Sequence, residues 1–211
     1  MRLTHLGLAL VMSSSMACLA QEWEVGAAAG YGWYLNPTIS GPLNSGRAGY
    51  PPRGAFGALL GENMYNYIGG EFQYLFRFGG TQLQSDGITE YSPGYTNIFV
   101  YNLMVHMTPR ESKFRPFVAA GAGIKVYTNS DRVVRQPLAG LALLLQGTQV
   151  EPAISLDGGL KCMLPRHVQL RLDFRVYTTP TPNLLIRPVG LSRIQGWVFD
   201  LVPMAGVSYV F

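Results

Sequence analysis

The sequence predicts an all-β fold, an eight-stranded antiparallel up-and-down transmembrane β-barrel. Three observations carry that expectation. Side chains alternate in character with a period of two, the connections between alternating segments are long and short in turn, and an export-type leader precedes a chain without a helical span. A strand sorts every second side chain to one face, whereas a helix would scatter the same residues around a cylinder.

The leader comes first. Met1-Arg2 give a positive start, Leu6 to Met12 an apolar stretch, and Ser13 to Ala20 a small, polar exit. This is the pattern of a cleaved signal peptide over residues 1–20, leaving residues 21–211 as the barrel domain with Gln21 at its start. Its apolar stretch falls far short of the roughly 20 residues that cross a bilayer as a helix. Lipidation at Cys18 is disfavoured, because Ser15 stands where lipoprotein signals carry a large aliphatic residue.

Composition narrows the class further. Charged residues make up 13% of the chain, aromatics 12%, and there are 25 glycines. An exported chain this poor in charge, without a long apolar helix, points to β structure. Beyond the leader only Cys162 remains, so no internal disulfide is expected there. A formal charge of +4 is too weak to argue for nucleic acid.

Alternation is cleanest in three places. Trp23, Val25, Ala27, Ala29, Tyr31 and Trp33 oppose Glu24, Gly26, Ala28, Gly30, Gly32 and Tyr34. Ile68, Gly70, Phe72, Tyr74, Phe76 and Phe78 oppose Gly69, Glu71, Gln73, Leu75 and Arg77. Val168, Leu170, Leu172, Phe174 and Val176 oppose Gln169, Arg171, Asp173, Arg175 and Tyr177. The same template places strands at 22–34, 54–62, 67–79, 95–108, 114–127, 149–163, 167–178 and 197–211. Short connections fall near 63–66, 109–113 and 164–166, and long ones near 36–53, 80–94, 129–147 and 179–196. Membrane barrels of the bacterial outer membrane have this segregation, with short periplasmic turns and longer external loops.

One face is bulky and apolar, and the other mixes small residues with a few long polar ones. An eight-stranded barrel has little internal room, so the second face is expected inside. There it carries Glu24, Glu71, Asp157, Asp173 and Asp200 against Arg77, Lys125, Lys161, Arg171 and Arg175. Equal numbers of each sign suit a self-neutralising interior, since unpaired charge in a low-dielectric wall is costly. Trp23, Trp33, Trp197, Phe199, Tyr209 and Phe211 lie at the ends of the first and last strands, where an aromatic girdle belongs.

The closing stretch Ala205-Gly206-Val207-Ser208-Tyr209-Val210-Phe211 resembles the terminal strand of Gram-negative outer-membrane proteins. Arg115 to Gly123 and Val168 to Tyr177 resemble the OmpA-type or OmpX-type outer-membrane β-barrel domain. That resemblance implies a monomeric barrel in the bacterial outer membrane. Its partners would be membrane lipid, lipopolysaccharide and the barrel-assembly machinery that reads the last strand. No peptidoglycan-binding domain is expected after the final strand.

No catalytic constellation is legible. His106 is expected to point inward near the end of the fourth strand, and His167 sits at a short turn, neither in a catalytic motif. No metal-ligand cluster or phosphate-cradling loop is present in the sequence, so no cofactor is expected. In the long loops Arg47, Arg53, Arg132, Arg135, Arg187 and Arg193 outnumber the acids and suit lipopolysaccharide phosphates. Pro137 to Leu145 is an apolar stretch in a loop, suited to extending a hairpin, covering the mouth or meeting a partner. The expected role is structural or surface-interacting, with a small pore and a soluble lipocalin-like carrier as alternatives.

Overall fold

The structure, a computed structural model, describes residues 22–42, 44–130 and 140–211. The leader, Arg132, Arg135 and residues 137–139 therefore lie outside the described residues. Among the described residues fifteen strands follow one another: β1 Glu22–Leu35, β2 Thr38–Ser40, β3 Ser45–Gly49, β4 Arg53–Asn63, β5 Ile68–Phe78, β6 Gln82–Ser85, β7 Ile88–Tyr91 and β8 Gly94–His106; then β9 Phe114–Asn129, β10 Ala142–Leu144, β11 Gly147–Met163, β12 Val168–Pro180, β13 Ile186–Pro188, β14 Arg193–Ile194 and β15 Trp197–Val210. Eight of them, in the order β1-β15-β12-β11-β9-β8-β5-β4, close into an antiparallel barrel. Each barrel strand pairs with its sequence neighbour, and β1 pairs with β15 to complete the ring. Closure leaves no free sheet edge in the wall.

The alternation survives around the ring. On β12, Leu170, Leu172 and Phe174 are exposed while Arg171, Asp173 and Arg175 are buried. Every aromatic of the anticipated girdle is exposed on the wall except Trp23, which is half-buried. On the outer face of the wall, Tyr101 lies across Gly70. A Cβ there would sit 2.1 Å from the Tyr101 phenol oxygen, which reaches across it to donate a 2.7 Å hydrogen bond to Glu62.

The long connections are not plain loops. They hold the other seven strands, which build a five-stranded sheet in the order β14-β2-β3-β6-β7 and a two-stranded sheet of β10 and β13. Arg53 correspondingly opens a barrel strand instead of ending a loop. The alternation in these short segments spans too few residues to stand out in the sequence. Their turn chemistry is more visible: Asp86-Gly87, both with positive φ, make the tight hairpin between β6 and β7.

Candidate functional site

Two places concentrate interacting side chains, the barrel interior and the cap over its long-connection end. Inside, all ten charged residues of the small-residue face are buried. Nearer the cap, Asp200 lies between Lys125 at 2.8 Å and Arg77 at 3.0 Å. Both cations also stand over the Tyr34 ring, at 4.8 and 4.9 Å from its centroid.

A second, larger network lies nearer the short turns. Arg171 is its centre, donating to Glu71 at 2.6 Å and to Asp173 at 3.1 Å, with Glu24 3.8 Å away. Lys161 contacts Glu24 at 2.5 Å, and Arg175 donates to Asp173 at 2.6 Å with Asp157 3.7 Å away. Gln73 ties Glu71 to Asp157 through 2.7 and 3.0 Å hydrogen bonds and accepts one from Tyr177 at 3.0 Å. Because β-strand positions two apart share a face, partners such as Arg171, Asp173 and Arg175 come from one strand and meet carboxylates from across the ring.

The interior departs from the sequence reading in two ways. An eleventh charge, Arg115, is also buried, beside Asn63 Oδ1 and the Asn66 carbonyl, each at 3.4 Å. Its parity with Lys125 on the same strand is the signal that could have found it. The filling is also more apolar than glycine and alanine alone. Leu75, Ile98, Val100, Val202 and Met204 form a buried layer between the two ion networks, and Met104 and Phe117 form another near the short turns. His106 is buried beside Phe117, with ring centroids 6.2 Å apart, and His167 lies in the β11–β12 turn with φ of 63°.

The cap has the opposite make-up. Ile39, Ala48, Leu83, Leu141, Ala142, Leu144 and Ile186 pack into an apolar core drawn from all four long connections. The described part of the apolar stretch ending at Leu145 thus covers the mouth. Beneath it Tyr34, Tyr50, Tyr127, Leu185 and Val198 join cap to barrel, with Tyr50 and Tyr127 stacked at 4.8 Å. Burial between these rings pushes the Tyr50 phenol well above its ordinary pKa. At the hairpin base, the Asn36 amide exchanges two 2.9 Å hydrogen bonds with the Tyr50 backbone. This clamp requires glycine at position 49, where a Cβ would lie 1.9 Å from Asn36 Oδ1. Arg47, Arg53, Arg187 and Arg193 are all exposed at this end, but the structure divides them: Arg47 and Arg193 are on the five-stranded sheet and Arg187 is on the other. Among the described residues, no group of three or more His, Cys, Asp or Glu side chains is placed to hold a metal ion.

No family model matches the chain, and no curated protein matches it. Solved structures do. The outer membrane protein OprG from Pseudomonas aeruginosa is 15% identical, with a TM-score of 0.59 over 91% of this chain and 96% of that one. Neisserial surface protein A is 11% identical, with a TM-score of 0.51 over 89% of this chain and 96% of that one. At such identities the likeness is one of fold. The chain has the closed, eight-stranded antiparallel architecture of small outer-membrane β-barrels.

Proposed function

We propose that this chain is an integral outer-membrane β-barrel with a structural or surface-interaction role, a plugged interior and no catalysis. The observation that carries the reading is the inverted radial order of the wall. Leu170, Leu172 and Phe174 are 46%, 63% and 41% exposed, while the charges between them on the same strand are buried. Burying charge while exposing leucine makes sense only where the surroundings are apolar, and it argues against a soluble carrier with an apolar lumen. The leader would direct export, and Phe211 would serve the assembly machinery as the end of the closing strand. Two ion networks separated by an apolar layer support a filled interior, because a continuous water path would have to cross that layer. OmpA/OmpX-type affinity, monomeric state and lipopolysaccharide contact through Arg47, Arg53 and Arg193 belong to the same proposal.

The test is single-cysteine labelling of the refolded, lipid-embedded protein with a lipid-soluble reagent, in a Cys162→Ser background. Cysteines at 170, 172 and 174 should label, and those at 171, 173 and 175 should not. The reverse pattern would overturn the membrane reading. Steady single-channel conductance of porin size from the same preparation would overturn the plug and favour the small pore.

A further inference from the structure

The five-stranded cap sheet has an outer face that the cap core does not use. Its inner residues, Ile39, Ala48 and Leu83, belong to that core. The outer residues form three rows by pairing register. Arg193, Ser40 and Ser45 make the first row, next to the hairpin tip. Thr38, Arg47, Gln84 and Thr89 make the second. Gln82 and Tyr91 lie in the third, next to the barrel rim, where the Arg53 guanidinium stands 6.0 Å from the Tyr91 ring centroid.

The three arginines therefore follow a diagonal. From Arg193 to Arg47 the path crosses two strands and one row, and from Arg47 to Tyr91 it does so again. At the usual strand and residue spacings each step is about 12 Å between Cα atoms. The diagonal also climbs, because Arg53 opens barrel strand β4 while Arg193 neighbours the far end of the β2–β3 hairpin. Arg47 and Arg193 each line a recess, of about 380 and 540 Å³; the first is walled mostly by Thr38, Ser45, Gln84 and Ser85, and the second by Thr38, Ser40 and Gln195 together with Pro42 and Leu191. Asp86, in the β6–β7 turn, is the one acid lining either recess, and Glu90 pairs with Leu83 on the opposite face. Among the described residues none of the three arginines is in an ion pair.

We propose that this diagonal is a binding track for the anionic core saccharide of lipopolysaccharide in the protein's own membrane. The proposal rests on the outer-membrane reading above and deepens it. A guanidinium fork matches a phosphate or carboxylate with two parallel hydrogen bonds. The two steps together span about 24 Å from Arg193 to Tyr91, beyond what one phosphate can bridge, so the saccharide must offer acid groups to both ends of the track. Arg53 meets the group nearest the membrane, Arg47 the next and Arg193 the outermost. The serine, threonine and glutamine side chains between them bind sugar hydroxyls. The rise from rim to tip follows a ligand anchored by its lipid, which distinguishes it from a free polyanion lying across the cap. Arg187, on the other sheet, takes no part.

Refolded protein would be titrated with lipopolysaccharide bearing a phosphorylated core, with its lipid A alone, and with the released core oligosaccharide. The core-bearing form should bind at least tenfold more tightly than lipid A, and more tightly than the released core. The triple variant Arg47→Ser, Arg53→Ser, Arg193→Ser should lose that preference, while Arg187→Ser should keep it; circular dichroism confirms that both remain folded. Equal binding of core-bearing lipopolysaccharide and lipid A overturns the track, as does a preference that survives the triple substitution. Tighter binding of the released core assigns the face to a free polyanion and overturns it as well. Membrane fractionation separates the two levels. Outer-membrane protein without core preference sinks the track alone, whereas protein absent from that membrane sinks both.

Discussion

The barrel interior and the cap are two cores of opposite polarity within one chain. Inside the barrel, Glu24, Glu71, Asp157, Asp173 and Asp200 meet lysine and arginine partners while leucine and phenylalanine face outward. In the cap, Ile39, Leu83, Leu141 and Ile186 are buried and arginine, serine and threonine are exposed. The same backbone alternation serves both. On the outer-membrane reading proposed above, the difference teaches that polarity follows the medium outside. Where that medium is lipid, apolar side chains gain nothing by hiding and polar groups must find partners within. Where it is water, apolar burial again supplies the stabilisation.

The largest effect that can break this comparison is expected at Arg171. Its guanidinium contacts Glu71 and Asp173 with Glu24 close by, so Arg171→Met leaves buried carboxylates unbalanced. A loss of about 4 kcal/mol in the denaturant unfolding of the lipid-embedded barrel is expected. Adding Glu71→Gln should recover part of that loss. If Arg171→Met alone costs nothing, the interior is hydrated and not a self-neutralising core.

In the cap the corresponding test is Ile39→Ala, which removes a fully buried side chain from the apolar cluster. It should cost about 3 kcal/mol. That cost should appear locally, as faster amide exchange across residues 38–49 and 82–91, with the barrel midpoint unchanged. A fall in barrel stability of the same size would show that cap and barrel are one cooperative unit, joined through the Tyr50–Tyr127 contact.

The smallest effect is expected on the wall. Phe211 is 62% exposed and stacks on Tyr209, so Phe211→Ala gives up only partial burial. About 1–3 kcal/mol is expected in refolded protein. In cells the loss of surface abundance should be larger, because slow assembly leaves the unfolded chain open to proteolysis. Unchanged stability and unchanged abundance together would remove the assembly-signal reading of the closing strand.

The barrel was legible because its strands are long. β5 and β12 each carry enough alternating residues to separate two faces, so their spans were expected at 67–79 and 167–178 and found at 68–78 and 168–180. The cap strands were not legible. A segment such as Thr38–Ser40 holds a single apolar residue, too short a record to show a period. Arg115 is hidden in the sequence for another reason: Phe117 beside it on the same face breaks the small-or-charged pattern of the interior. Phe117 earns its buried place beneath cations, with Lys161 at 5.7 Å and Arg171 at 5.5 Å from its ring centroid.

By itself, then, the sequence determined the number of barrel strands, their faces and the alternation of short and long connections. These are local properties, since period-two patterning and turn residues need no knowledge of distant neighbours. Only the tertiary structure decided which charges meet, and that the four long connections share one core. Arg171 and Glu71 lie 100 positions apart, and Ile39 and Ile186 further still. Such pairings depend on ring closure and on the stagger of its strands, which no single strand encodes.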